Sequence, residues 1–138
     1  MRVFPDTNVL VSAVAARGLC ADVLREVLVS HHLVISSPLI AELKDVLGAK
    51  FGITQEIISD FLDLLTQDSI LSDDTQETKI DIKDKDDIVI LSTALNGKSE
   101  LFVTGDKELL ELEKLQSMRI VSPRDFWEML KTQPPEKP

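Results

Sequence analysis

Apolar residues along this chain follow two alternating rhythms. Arg2 to Pro5, Leu33 to Ser36, Ser69 to Leu71, Leu101 to Val103 and Arg119 to Val121 are short runs with apolar residues side by side, the form of strands buried on both faces. Between them the spacing becomes helical. Thr7 begins a helix carrying Val9, Leu10, Ala13 and Val14 inward until Arg17-Gly18 breaks it, and Ala21 to Ser30 resumes with Leu24, Val27 and Leu28 on one side. Ser37-Pro38 supplies a cap and a first-turn proline for a helix running to about Leu47, with Gly48 as its stop. Thr54 caps a further helix bearing Ile57, Ile58, Phe61 and Leu65 at helical spacing.

Ile88 to Leu95 suits a strand as well as a buried helix. Ala94-Leu95-Asn96-Gly97 reads as a helix C-terminus with glycine outside it, which decides for helix. Lys107 to Leu112 is a short helix, and Ser122-Pro123 repeats the cap device ahead of a final helix with Phe126, Met129 and Leu130. Ser72 to Lys85 is polar, acidic and without period, a loop long enough in a compact domain to suggest a function. Strands alternating with helices predict an α/β fold, a mainly parallel sheet wrapped by helices, with no internal repeat. The 138 residues suit one domain over 1–130, and the proline-rich end, 131–138, reads as a disordered tail.

Composition narrows the function classes. A hydrophobic share of 43% supports an independent core. The lone Cys20 excludes an internal disulfide and, with only the adjacent His31 and His32, a Cys/His zinc site. Both histidines sit where a helix ends and read as helix-end residues rather than ligands. Asp6 and Asn8 interrupt any signal-peptide pattern, and no stretch approaches the roughly 18 apolar residues of a membrane span, so a cytoplasmic protein with no membrane partner is expected. Net charge is −9, which argues against a grip on nucleic acid by charge alone.

The chemistry lies in four acids. Asp6 follows the first strand, and Asp106 in Thr104-Gly105-Asp106-Lys107 repeats that placement after a later one; either could be a helix cap. Glu42 falls at the border of the apolar face formed by Leu39, Leu43 and Val46, roughly 40° from Val46 on a helical wheel, and could equally be a surface residue or an inward ligand. Asp84 and Asp86 read as part of a solvated acidic loop with one residue capping the helix, whereas Asp87 abuts the segment that must be buried. Strand ends of open α/β sheets form the ligand crevice, so these acids are expected to meet there. Close carboxylates cannot all ionise unless neutralised, and Mg²⁺ or Mn²⁺ suits oxygen ligands. Metal-dependent phosphodiester hydrolysis is the expected chemistry.

Asp6-Thr7-Asn8, Glu42 within Ser37-Pro38-Leu39-Ile40-Ala41-Glu42-Leu43, Asp87 ahead of Ala94-Leu95, and Val103-Thr104-Gly105-Asp106 form an ordered set. It resembles the PIN-domain family of ribonucleases from Met1 to about Leu130, and Asp84-Lys85-Asp86-Asp87 with Thr104-Gly105-Asp106-Lys107 looks most like the VapC-like toxins of toxin–antitoxin pairs. The resemblance implies a Rossmann-like three-layer α/β/α fold and Mg²⁺- or Mn²⁺-dependent cleavage of single-stranded RNA. It also implies a homodimer and a cognate antitoxin. Asp6, Asp87 and Asp106 would then coordinate metal and Glu42 would complete the site, with Thr7, Asn8 and Thr104 positioning water or phosphate. Pro5 departs from the family pattern, which has a β-branched residue or leucine before the first Asp.

Two other readings compete. An aspartyl-phosphate phosphatase would need a second Asp where Asn8 stands, and a phospho-receiver would carry its acceptor on a later strand. A catalytically silent binding module with the same fold is favoured by the acidic balance.

Overall fold

A computed structural model describes residues 1–73 and 76–132. The elements run β1 (Arg2–Pro5), α1 (Thr7–Ala15), α2 (Leu19–Ser30), β2 (His32–Ser36), α3 (Ser37–Asp45), a π-helical turn (Val46–Lys50), α4 (Gln55–Thr66), β3 (Ile70–Ser72), α5 (Lys85–Asn96), β4 (Leu101–Val103), α6 (Lys107–Glu111), β5 (Lys114–Leu115), β6 (Met118–Val121) and α7 (Pro123–Leu130). They build one sheet in the order β3-β2-β1-β4-β6-β5, parallel throughout except for β5 against β6. Expected from residue 131 onward, the tail lies from residue 133 outside the described residues.

Burial explains the continuous apolar runs. Val3 and Phe4 of β1, Leu33 to Ile35 of β2 and Leu101 to Val103 of β4 are all sealed in the interior, because helices cover both sides of the sheet. Phe4 and Phe102 lie directly opposite in register and stack with ring centroids 5.5 Å apart. The chain steps from β1 to β2 to β3 in one direction, then crosses back beyond β1 to β4 and β6. Crossovers between parallel strands are right-handed, so the helices before and after that reversal lie on opposite faces. The result is the three-layer α/β/α arrangement.

Several expected boundaries shift for physical reasons. The cap of α3 is Ser36, not Ser37; its hydroxyl accepts from the Leu39 N–H, and Ser37 is already helical. Gly48 does not stop the helix. It lies inside the π-helical turn, and the left-handed Gly52 (φ 62°) ends the segment. Gly97 closes α5 as expected, but the left-handed residue is Lys98 (φ 58°). Thr54 and Ser122 do cap α4 and α7. β5 had no counterpart in the sequence pattern. His31 ends α2, buried and edge-on to Phe126, while His32 opens β2.

Gly97 owes its place to space rather than torsion. A Cβ there would stand 2.8 Å from Val34 Cγ1 and 3.0 Å from Ser72 Cβ, at the point where α5 crosses β2 and β3. Gly97→Ala should therefore destabilise the fold by about 1–3 kcal/mol, read as a lower urea midpoint with unchanged slope. An unchanged midpoint would show that α5 can move away from the sheet freely.

Candidate functional site

The reversal of strand order puts the carboxyl ends of β1 and β4 side by side while the chains leaving them diverge. Such a switch point opens a crevice. Asp6 stands at its floor, 6% exposed, as the N-cap of α1. Its Oδ1 accepts from the Thr7 N–H at 2.8 Å, and its Oδ2 accepts from Thr104 Oγ1 at 2.7 Å and Asn8 Nδ2 at 3.1 Å. Its own N–H donates to the Val103 carbonyl at 2.8 Å. Asn8 Oδ1 in turn accepts from the Gly105 N–H, and Thr104 Oγ1 accepts from the Asp106 N–H at 3.0 Å. The ends of β1 and β4 are thus cross-linked side chain to backbone, and Asp6 keeps about one of its roughly four acceptor positions free.

Asp106 caps α6, its Oδ1 accepting from the Glu108 N–H. Asp87 lies in the first turn of α5, whose cap is Asp84, accepting from the Asp86 and Asp87 N–H groups. Glu42 lies on α3, half-buried. All four acids line a single open cleft of about 450 Å³, together with Thr7, Asn8, Val11, Ser12, Val46, Lys50 and Phe51. Among the described residues the Glu42 and Asp87 side chains accept no hydrogen bond, so their negative charge is left to the cleft.

The electrostatics follow. Burial pushes the Asp87 carboxyl up to about 7, helped by the charges of Asp84, Asp6, Asp106 and Glu42. Burial also raises Asp6 above the usual carboxylate range, with Glu42 and Asp106 adding to the shift against the hydrogen bonds from Thr104 and Thr7. Among the described residues no three His, Cys, Asp or Glu side chains already stand close enough to hold a metal ion. The donor set nevertheless fits a hard divalent cation: it is all oxygen, anionic and incompletely satisfied. Thr7, a residue of the cleft wall that is 4% exposed, adds a second sign, since its buried Oγ1 has no hydrogen-bond partner among the described residues.

The family model described as PIN domain matches residues 2–108. The chain belongs to the PIN domain family. Members of that family are typically nucleases. A chain of the VapBC2 complex from Rickettsia felis, solved bound to a DNA fragment from the promoter, has the same fold: TM-score 0.64 at 18% identity, over 88% of this chain and 98% of that one. No curated protein matches the sequence.

Within this PIN domain the acids expected to meet do share one cleft. Thr104 stands apart. It is fully buried, and its hydroxyl is committed to Asp6, Asn8 and Asp106, so it positions a carboxylate rather than water or phosphate. Lys50 and Phe51 were not among the expected site residues. The i, i+4, i+8 spacing of Glu42, Val46 and Lys50 carried a signal for Lys50, whereas Phe51 reaches the cleft only through the π-helical turn. Pro5 is tolerated because neighbouring donors alternate sides. Asp6 N–H points to β4, so the donor missing at Pro5 faces β2, where pairing ends at Val3 and Leu33. Among the described residues no single helix is long and apolar enough to cross a membrane.

Asp87 binds a proton in the folded state between its ordinary value of 3.8 and about 7, when the unfolded chain has released it. Stability without divalent cations therefore falls as pH rises through that window, with Asp6 acting in the same sense. Asp87→Asn should raise the melting temperature at about pH 8 and flatten its decline from about pH 5. A melting curve whose pH dependence matches the wild type would show that Asp87 is not under this strain.

Proposed function

We propose that this PIN domain is a divalent-cation-dependent endoribonuclease that hydrolyses single-stranded RNA. The observation that carries the proposal is the convergence of Asp6, Glu42, Asp87 and Asp106, from four separate segments, on one cleft at the switch point of the sheet. Asp6, Asp87 and Asp106 would hold Mg²⁺ or Mn²⁺, directly or through water, and Glu42 would complete the site. When bound, the cation supplies charge neutralisation at the phosphodiester and eases loss of a proton from the attacking water.

The chain's own groups have separable tasks. Thr104 and Asn8 fix the rotamer of Asp6 and leave one lone pair of its carboxylate to the cleft. Glu42, whose oxygens have no partner among the described residues, orients the attacking water and can take its proton as the new P–O bond forms; as the old P–O bond breaks, the departing oxygen takes a proton from solvent. Thr7 and Asn8, at the N-terminus of α1 and on the cleft wall, position a water or a phosphate oxygen.

By its likeness to a chain of the VapBC2 complex, the domain is further proposed to be the toxin of a toxin–antitoxin pair. It would be cytoplasmic, homodimeric and blocked by a cognate antitoxin protein. A second reading, a silent binding module, is favoured by the net charge of −9 and by the acids not yet standing at ligand spacing among the described residues.

Cleavage and melting assays separate the two. Mn²⁺ at ten times its dissociation constant should stabilise the wild type by about 1.4 kcal/mol and support cutting of single-stranded RNA. Asp6→Asn and Asp87→Asn should each lower the rate on the order of 100-fold or more while leaving stability equal or higher. Undiminished cleavage in both variants would refute the assignment, and a wild type indifferent to Mn²⁺ would favour the module.

A further inference from the structure

Glu42, Val46, Lys50 and Phe51 follow one another along one wall of the acidic cleft. The last two reach it through an unusual backbone. Phe51 N–H donates to the Val46 carbonyl at 3.3 Å, an i→i+5 bond that sets Phe51 one widened turn beyond Val46. Gly52, left-handed at φ 62°, then turns the chain, and Ile53 N–H closes back on the Leu47 carbonyl at 2.9 Å. The rim is therefore held by hydrogen bonds rather than frayed.

This backbone presents a costly side chain to water. Phe51 is 52% exposed, whereas Phe4, Phe102 and Phe126 are fully buried. Beside it, Lys50 is the one basic residue lining a cleft that carries four acids, and among the described residues its ammonium has no ion-pair partner. A flat apolar face next to an unpaired cation matches an unpaired nucleotide, with one surface for the base and one for the phosphate. A paired base in a duplex has both faces stacked already and offers nothing to the ring.

Resting on the ribonuclease reading above, we infer that Phe51 and Lys50 form a nucleotide-binding step at the mouth of the cleft. Phe51 stacks on an unpaired base and Lys50 holds the adjoining phosphate, so that the neighbouring phosphodiester reaches the carboxylates. The step also answers the charge problem. In a protein of net −9, it supplies a grip on nucleic acid that does not depend on an overall basic surface.

The test uses the full chain and a short single-stranded RNA carrying one 2-aminopurine, with Ca²⁺ for binding and Mn²⁺ for cleavage. Wild type should quench the fluorophore on binding, and the matching duplex should compete poorly. Phe51→Leu should abolish the quench, weaken binding and raise KM about tenfold, the equivalent of one lost stack, with kcat unchanged. Phe51→Trp should restore both, and Lys50→Ala should weaken binding while keeping the quench. Absence of binding, equal competition by duplex, or a Phe51→Leu protein that binds and quenches like wild type would each overturn the inference. Binding and quenching without any cleavage in Mn²⁺ would instead overturn the nuclease reading and leave this subsite standing.

Discussion

Like charges held close together outside bulk water are the constraint around which this molecule is arranged. A carboxylate at the floor of a parallel sheet is stable only if hydrogen bonds compensate the lost hydration. Asp6 has them, from Thr7, Asn8 and Thr104. Among the described residues Glu42 and Asp87 do not, and the raised proton affinity of Asp87 registers the mismatch. A folded protein that keeps such a group carries a local destabilisation, and sites of function are where these concentrate.

The fold produces the mismatch by topology. Because the chain crosses from β3 back past β2 and β1 to place β4 beside β1, two strand ends that are distant in sequence meet, and the residues following them must diverge. Thr104, buried at that seam, serves both sides at once: it donates to Asp6 and accepts from the Asp106 backbone. Helices α3 and α5 then each bring one acid to the crevice from their own segments. The welded pair, Asp6 and Asp106, supplies a rigid half of the cleft, while Glu42 and Asp87 supply an unsatisfied half.

Much of this was legible in the residues, and the failures are instructive. Strands buried on both faces read as unbroken apolar runs, so β1, β2, β4 and β6 could be found, and alternation with helices implied the parallel sheet. Ser and Thr before apolar periods mark the starts of α4 and α7, although at α3, where two serines adjoin, the cap expected at Ser37 lies one residue earlier, at Ser36. β5 lacks a sequence signal because the Gln116-Ser117 turn joining it to β6 carries no glycine or asparagine; Gln116 in that turn, and Glu113 just before β5, adopt positive φ without the usual composition. The π-helical turn has no sequence signature, because Gly48 resembles a stop and periodicity assumes an unbroken i→i+4 ladder. Phe51 was lost with it. Local context suggested which acids matter, but how they share the cleft depends on long-range packing that no window of sequence contains.

The central claim is that these four carboxylates together demand a cation. Diffraction from crystals grown with Mn²⁺, recorded to show its anomalous signal, addresses it most directly. The account predicts a peak in the cleft in contact with Asp6 and Asp106, with Glu42 and Asp87 drawn inward toward it or toward its waters. A cleft that stays free of manganese at saturating concentration, or a peak bound elsewhere on the acidic surface, would contradict it.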